Sequence, residues 1–135
     1  MKLWIKIDRP IDSVADIPLK DEAPEKVKKL YQSSNKGDFI FWIDDEEGTI
    51  GCIKNNRSIS MCLDTVSILE LQEMKPAKGR GYVSLCFMSK SGKELGEIYA
   101  NQYSQKALNW LASIQPIIAN EAGLEVRSFD YGFDA

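Results

Sequence analysis

Asp38-Phe39-Ile40-Phe41-Trp42-Ile43-Asp44, then Asp45-Glu46-Glu47-Gly48, then Thr49-Ile50-Gly51-Cys52-Ile53, is the stretch whose reading decides the fold. Phe39, Phe41 and Ile43 share one face of an extended chain, and Ile40 and Trp42 share the other. A strand apolar on both faces is a central strand covered on both sides. The acidic run with Gly48 is turn chemistry, and Ile50, Cys52 and Ile53 return as the hairpin partner. Strands joined by so short a loop pair antiparallel.

Upstream, Leu3, Ile5 and Ile7 alternate with Lys2, Lys6 and Asp8. The period of two predicts a strand over 2–8, ended by Pro10. Residues 10–21 read as a connection. Ala23, Val27, Leu30 and Tyr31 predict a helix over about 22–34, with Asp21 as N-cap and Pro24 in the first turn. Asn35 and Gly37 can end it through a left-handed residue.

Downstream, Asn55-Asn56 signals a turn, and Ile59, Met61 and Leu63 alternate as a strand. The β pattern continues over 65–74, with a slip near Ile68-Leu69 that predicts a bulge or bend. Lys75 to Gly81 is a loop, 82–88 a strand, Ser91-Gly92-Lys93 a turn and 94–100 a strand. Ala107, Leu108, Leu111, Ile114 and Ile118 then repeat at helical spacing over about 104–121. Ser104 is the candidate N-cap, Pro116 is expected to kink the helix, and Gly123 closes it. Residues 124–128 form a short strand before the tail Asp130-Tyr131-Gly132-Phe133-Asp134.

The expectation is an α+β fold: a bent antiparallel sheet or partial barrel of about six to eight strands, one long C-terminal helix and a shorter N-terminal one. Length predicts a single domain over 1–135.

The chain contains no histidine. That removes the commonest general acid–base group near neutral pH, the Ser-His-Asp triad and the Cys-His pair. It also removes the commonest transition-metal ligand. A net charge of −3 is too balanced for a nucleic-acid coat. Cys52, Cys62 and Cys86 are widely spaced, without ligand or redox motif, and read as reduced thiols in a cytoplasmic protein. No signal peptide or membrane span is expected, and no cofactor.

Three constellations are candidates. Asp44, Asp45, Glu46 and Glu47 form the densest charge cluster, a patch for a partner with a basic surface. Tyr131 and Phe133 are aromatics beside acids, able to anchor a partner. Lys75, Lys78 and Arg80 lie in a Gly-containing loop where cations and backbone N–H groups can contact an anion, although the spacing matches no P-loop.

Asp64 followed by Glu70-x-Gln72 resembles the metal-binding core of restriction-type nucleases. That resemblance implies magnesium held by Asp64 and Glu70, but Gln72 stands where such enzymes carry a lysine. In general look the chain resembles bacterial immunity proteins and phage-encoded inhibitors, compact α+β domains with an acidic face. That resemblance implies a non-catalytic inhibitor or immunity-type protein acting through a protein–protein interface. The alternatives are the carboxylate- and magnesium-dependent nuclease-like enzyme, or a protein sequestering a small ligand beneath helix 104–121, in a pocket lined by Trp42 and Tyr82.

Overall fold

The computed structural model describes residues 3–10, 23–54 and 57–134, the side chains of 54 and 57 excepted. The chain divides into two compact units, Met1–Asp64 and Thr65–Ala135. The α+β class with antiparallel pairing holds. The strands lie in two four-stranded sheets, and one of their pairings is parallel.

In the first unit, β1 (Leu3–Asp8), β2 (Phe39–Asp44), β3 (Thr49–Lys54) and β4 (Arg57–Cys62) form an antiparallel sheet in that order. All six residues of β2 are buried, as its two apolar faces require. Trp42 packs with Ala23, Val27, Ile40 and Ile53. Its indole lies over Gly51 of β3, where a Cβ would collide with the ring and with the Ile59 carbonyl. The indole N–H donates to Thr49 Oγ1 at 3.3 Å.

α1 (Glu25–Ser33) starts later than the sequence pattern implies, with Pro24 at the cap position and no side-chain cap. The Pro24 carbonyl accepts from Lys28 N at 3.0 Å. Asp21 and the Asn55-Asn56 turn lie outside the described residues. α1 ends on Ser34 in an extended conformation, so the expected left-handed cap is absent. Gly37, with φ of 93°, serves the turn into β2 instead. That turn is held by Asp38, whose carboxylate accepts from Asn35 N and from the Arg9 guanidinium.

The expected bulge or bend at Ile68-Leu69 is absent: the strand there pairs without a break and is buried on both faces, which is why its alternation slips, and the interruption is a 3₁₀ turn at Leu63–Thr65. In the second unit, β5 (Ile68–Lys75), β6 (Tyr82–Met88) and β7 (Glu94–Asn101) form an antiparallel meander. α2 (Gln105–Ala122) carries the chain back so that β8 (Glu125–Phe133) pairs parallel to β5. The sheet order is β7-β6-β5-β8.

Ser104 caps α2 as expected, its hydroxyl accepting from Ala107 N, and Gly123 ends it in the left-handed conformation. The helix runs unbroken from Gln105 to Ala122, Pro116 included. Trp110 meets Tyr99 of β7 edge-on at 5.1 Å. Tyr99 pairs with Leu85, and Leu85 with Leu71, so α2 covers the face carrying these residues. Gln115 is buried and joins helix to sheet, its amide donating to the carbonyls of Leu69 and Arg127, both at 2.9 Å. One side chain thereby bridges the two parallel strands.

Candidate functional site

Besides Ile117 of α2, the large apolar side chains exposed in the second unit include four along β8. This strand has β5 on one side and no strand on the other among the described residues. An open edge presents a row of backbone donors and acceptors. Eight of its nine residues are exposed and Gly132 is half-buried. Its large apolar side chains include Val126 (49% exposed), Phe129 (49%), Tyr131 (45%) and Phe133 (68%). Burial is the usual fate of such residues, so a strand that leaves this many of them in water is informative.

Register determines how the aromatics are displayed. Phe129 pairs with Gln72 and Asp130 with Glu73, but Phe133 pairs with Lys75. One extra residue of β8 is therefore absorbed opposite Met74, and Gly132 with φ of 80° takes up the irregularity. Phe129 and Tyr131 lie 4.5 Å apart on one face, with Tyr82 6.1 Å beyond Tyr131. The extra residue turns Phe133 to the other face, where Lys75 Nζ lies 6.0 Å above its ring. The same ammonium pairs with Asp130 at 2.9 Å. Asp130 holds the Lys75 pKa above its ordinary value, and Lys75 holds that of Asp130 below.

The chain after β8 closes on the β5–β6 loop. Asp134 Oδ1 accepts from the backbone N–H of Ala77 at 2.6 Å and of Gly79 at 3.0 Å. Oδ2 accepts from Gly81 N–H at 2.8 Å. Successive N–H groups converging in this way form an anion-binding concavity. The N–H groups, that of Gly79 foremost, hold the Asp134 acid below its ordinary range. A Cβ at Gly79 would sit 2.6 Å from Oδ2, so the cradle requires glycine there. Gly81, at φ 63°, is pressed against the Met74 carbonyl and also tolerates no side chain.

The sequence candidates fall into place unequally. Asp44 is buried, and its Oδ1 accepts from Glu46 N and Glu47 N, so this carboxylate builds the turn. Asp45, Glu46 and Glu47 are exposed at the hairpin tip. Beside them, Pro24, Glu25, Asp44, Glu47 and Thr49 line an open hollow of ≈ 420 Å³. Tyr131 and Phe133 belong to β8. Of the three cations, Lys75 is engaged with Asp130 and Glu73, whereas Lys78 and Arg80 are exposed on either side of Gly79. Phe129 lies beyond the strand expected over 124–128, and Val126 lies within it but is exposed on β8. A regular alternation Val126, Ser128, Asp130 against Arg127, Phe129, Tyr131 was the signal available.

Glu70 and Gln72 lie on the sheet face opposite α2. Glu70 accepts from Arg127 Nε at 3.3 Å and from Gln72 Nε2 at 3.0 Å. Gln72 Oε1 in turn accepts from the Ser84 hydroxyl, which lies 3.7 Å from Cys86 Sγ. Both oxygens of Glu70 are thus engaged. Asp64 falls in the first unit, and among the described residues no group of three or more Cys, Asp or Glu gathers to hold a metal ion. The Cys86 thiol is pushed up to about 12, chiefly by burial, which leaves it protonated at neutral pH. Trp42 is fully buried beneath α1, so it lines no ligand pocket. Among the described residues no helix is long and apolar enough to cross a membrane.

The family model for the PM0294 C-terminal domain matches residues 10–121. The match spans most of the chain, which therefore belongs to this family. It ends just before β8. No curated protein and no solved structure matches the chain.

Proposed function

We propose that this chain is a non-catalytic binding protein of the inhibitor or immunity type, recognising another protein through the edge strand β8. The observation that carries the reading is the exposure of Phe129, Tyr131 and Phe133 on a strand whose outer edge meets no other strand among the described residues. A partner strand added there would gain main-chain hydrogen bonds, and the aromatics would supply area and specificity. Aromatic side chains do this at low cost in conformational entropy. The acids Asp45, Glu46 and Glu47 would act on association rate with a basic partner.

The interior gives this reading further support. The polar row Glu70-Gln72-Ser84 is satisfied internally, and the thiol beside it is held in its unreactive form. Three widely spaced cysteines with no ligand or redox motif favour a reducing compartment, so the cytoplasm is the location we propose. One family model runs through both units, which supports treating 1–135 as one domain.

The test is quantitative co-purification from the native host, comparing the native chain with Phe129→Ser/Tyr131→Ser/Phe133→Ser. A partner recovered by the first and lost by the folded triple variant is the expected result.

A further inference from the structure

Asp134 shows what the 76–81 loop does to an anion. Its carboxylate is held by N–H groups of Ala77, Gly79 and Gly81 without any contribution from a cationic side chain among those contacts. Lys78 and Arg80 flank the central donor, are exposed, and make no ion pair among the described residues. Three donors converge on one negative charge, and two exposed cations adjoin the central donor along the chain. The loop therefore has more positive potential than its present occupant uses.

We infer that the 76–81 loop is a phosphate-binding site and that Asp134 is its built-in, displaceable occupant. A phosphate brings more acceptor oxygens and more charge than a carboxylate. It can take the three N–H groups that Asp134 now occupies and pair with Lys78 and Arg80 as well. Asp134 competes from within the chain, and a tethered group acts at an effective concentration in the millimolar range. The native chain accordingly binds phosphate weakly, and loss of the Asp134 carboxylate unmasks the site. The inference does not rest on the reading of β8 as a docking strand.

The experiment is titration of inorganic phosphate, at constant ionic strength set with chloride, into ¹⁵N-labelled protein, following the amide signals of Ala77, Gly79 and Gly81. Asp134→Ala is expected to show saturable shifts of these amides, with an affinity about tenfold or more above that of the native chain. Lys78→Ala/Arg80→Ala in the same background should weaken binding several-fold, and Gly79→Ala, whose Cβ fills the cradle, should abolish it. If β8 signals show that Asp134→Ala frays the strand, Asp134→Asn takes its place, since it keeps the shape and one oxygen and lacks the charge. Absence of saturable shifts in whichever variant remains folded overturns the inference. So does equal binding by the native chain, which would mean that Asp134 does not occupy the site in solution.

Discussion

The carboxylate of Asp134 lies 3.0 Å from the backbone nitrogen of Gly79, 55 positions earlier in the chain. This contact fastens the far end of β8 to the loop between β5 and β6. At the near end, Glu125 N–H donates to the Ser67 carbonyl, and the Gln115 amide holds the Arg127 carbonyl. β8 is thus fixed along one edge, and along the other it pairs with no strand among the described residues.

The Asp134 contact should respond to acid. The N–H groups of Gly79, Ala77, Gly81 and Lys78 lower the folded-state pKa below the ordinary value of 3.8. A depressed carboxylate stabilises the fold above its unfolded pKa, and that contribution is lost as pH falls through the folded value. The amide shifts of Gly79 and Gly81 are expected to titrate with a midpoint below 3.8. A midpoint at or above that value would mean that the contact is absent in solution.

Gln115 joins helix and sheet from a buried position, so Gln115→Ala leaves the Leu69 and Arg127 carbonyls without their donor. The expected loss is about 1–3 kcal/mol in urea denaturation. Amide exchange in β8 should accelerate more than in β6. A uniform change across the sheet would argue against a specific bridging role.

Thiol reactivity should separate the three cysteines. Cys62 is exposed, Cys52 and Cys86 are buried, and burial raises the Cys86 pKa to about 12. At pH 8 one thiol is expected to react rapidly with an aromatic disulfide reagent, and the remaining two only after denaturation. Rapid labelling of Cys86 in the native chain would contradict its unreactive assignment.

The acidic hairpin tip should split by role. Asp44→Ala removes the acceptor for Glu46 N and Glu47 N, and is expected to cost stability by about 1 kcal/mol. Asp45→Lys/Glu46→Lys/Glu47→Lys should leave stability nearly unchanged. It should slow association with a basic partner at low salt, an effect that fades as salt rises. Unchanged association kinetics would remove the tip from the interface.

Local pattern made much of the fold legible. Phe39 to Ile43 announced a strand buried on both faces, and Ser104 and Gly123 marked the ends of α2 within a residue or so. Those signals are set by neighbours in sequence. The division into two sheets left no local signal, because the pattern of a strand does not reveal which sheet it joins. The parallel pairing of β5 with β8 depends on the return path of α2, which periodicity does not encode. Tyr131 and Phe133 could be suspected from composition. Their display on an open edge, and the capture of Asp134 by Gly79 and Gly81, are long-range contacts that no local reading reaches. Of the three loop cations read as anion contacts, Lys75 is drawn away to Asp130, a pairing across strands that sequence spacing does not encode.

The central claim is that β8 works as a docking strand, and stability and binding measured together on one variant test it most directly. Phe129→Ser/Tyr131→Ser/Phe133→Ser removes half-exposed side chains together with the Phe129–Tyr131 and Tyr82–Tyr131 ring contacts, so its stability in urea should fall by about 0.5–1.5 kcal/mol per lost ring pair while the variant stays folded. In quantitative co-purification from the native host, the account predicts one protein retained by the native chain and lost by this variant. Retention of the same partner by both chains, or turnover of a substrate by the purified protein, would contradict it.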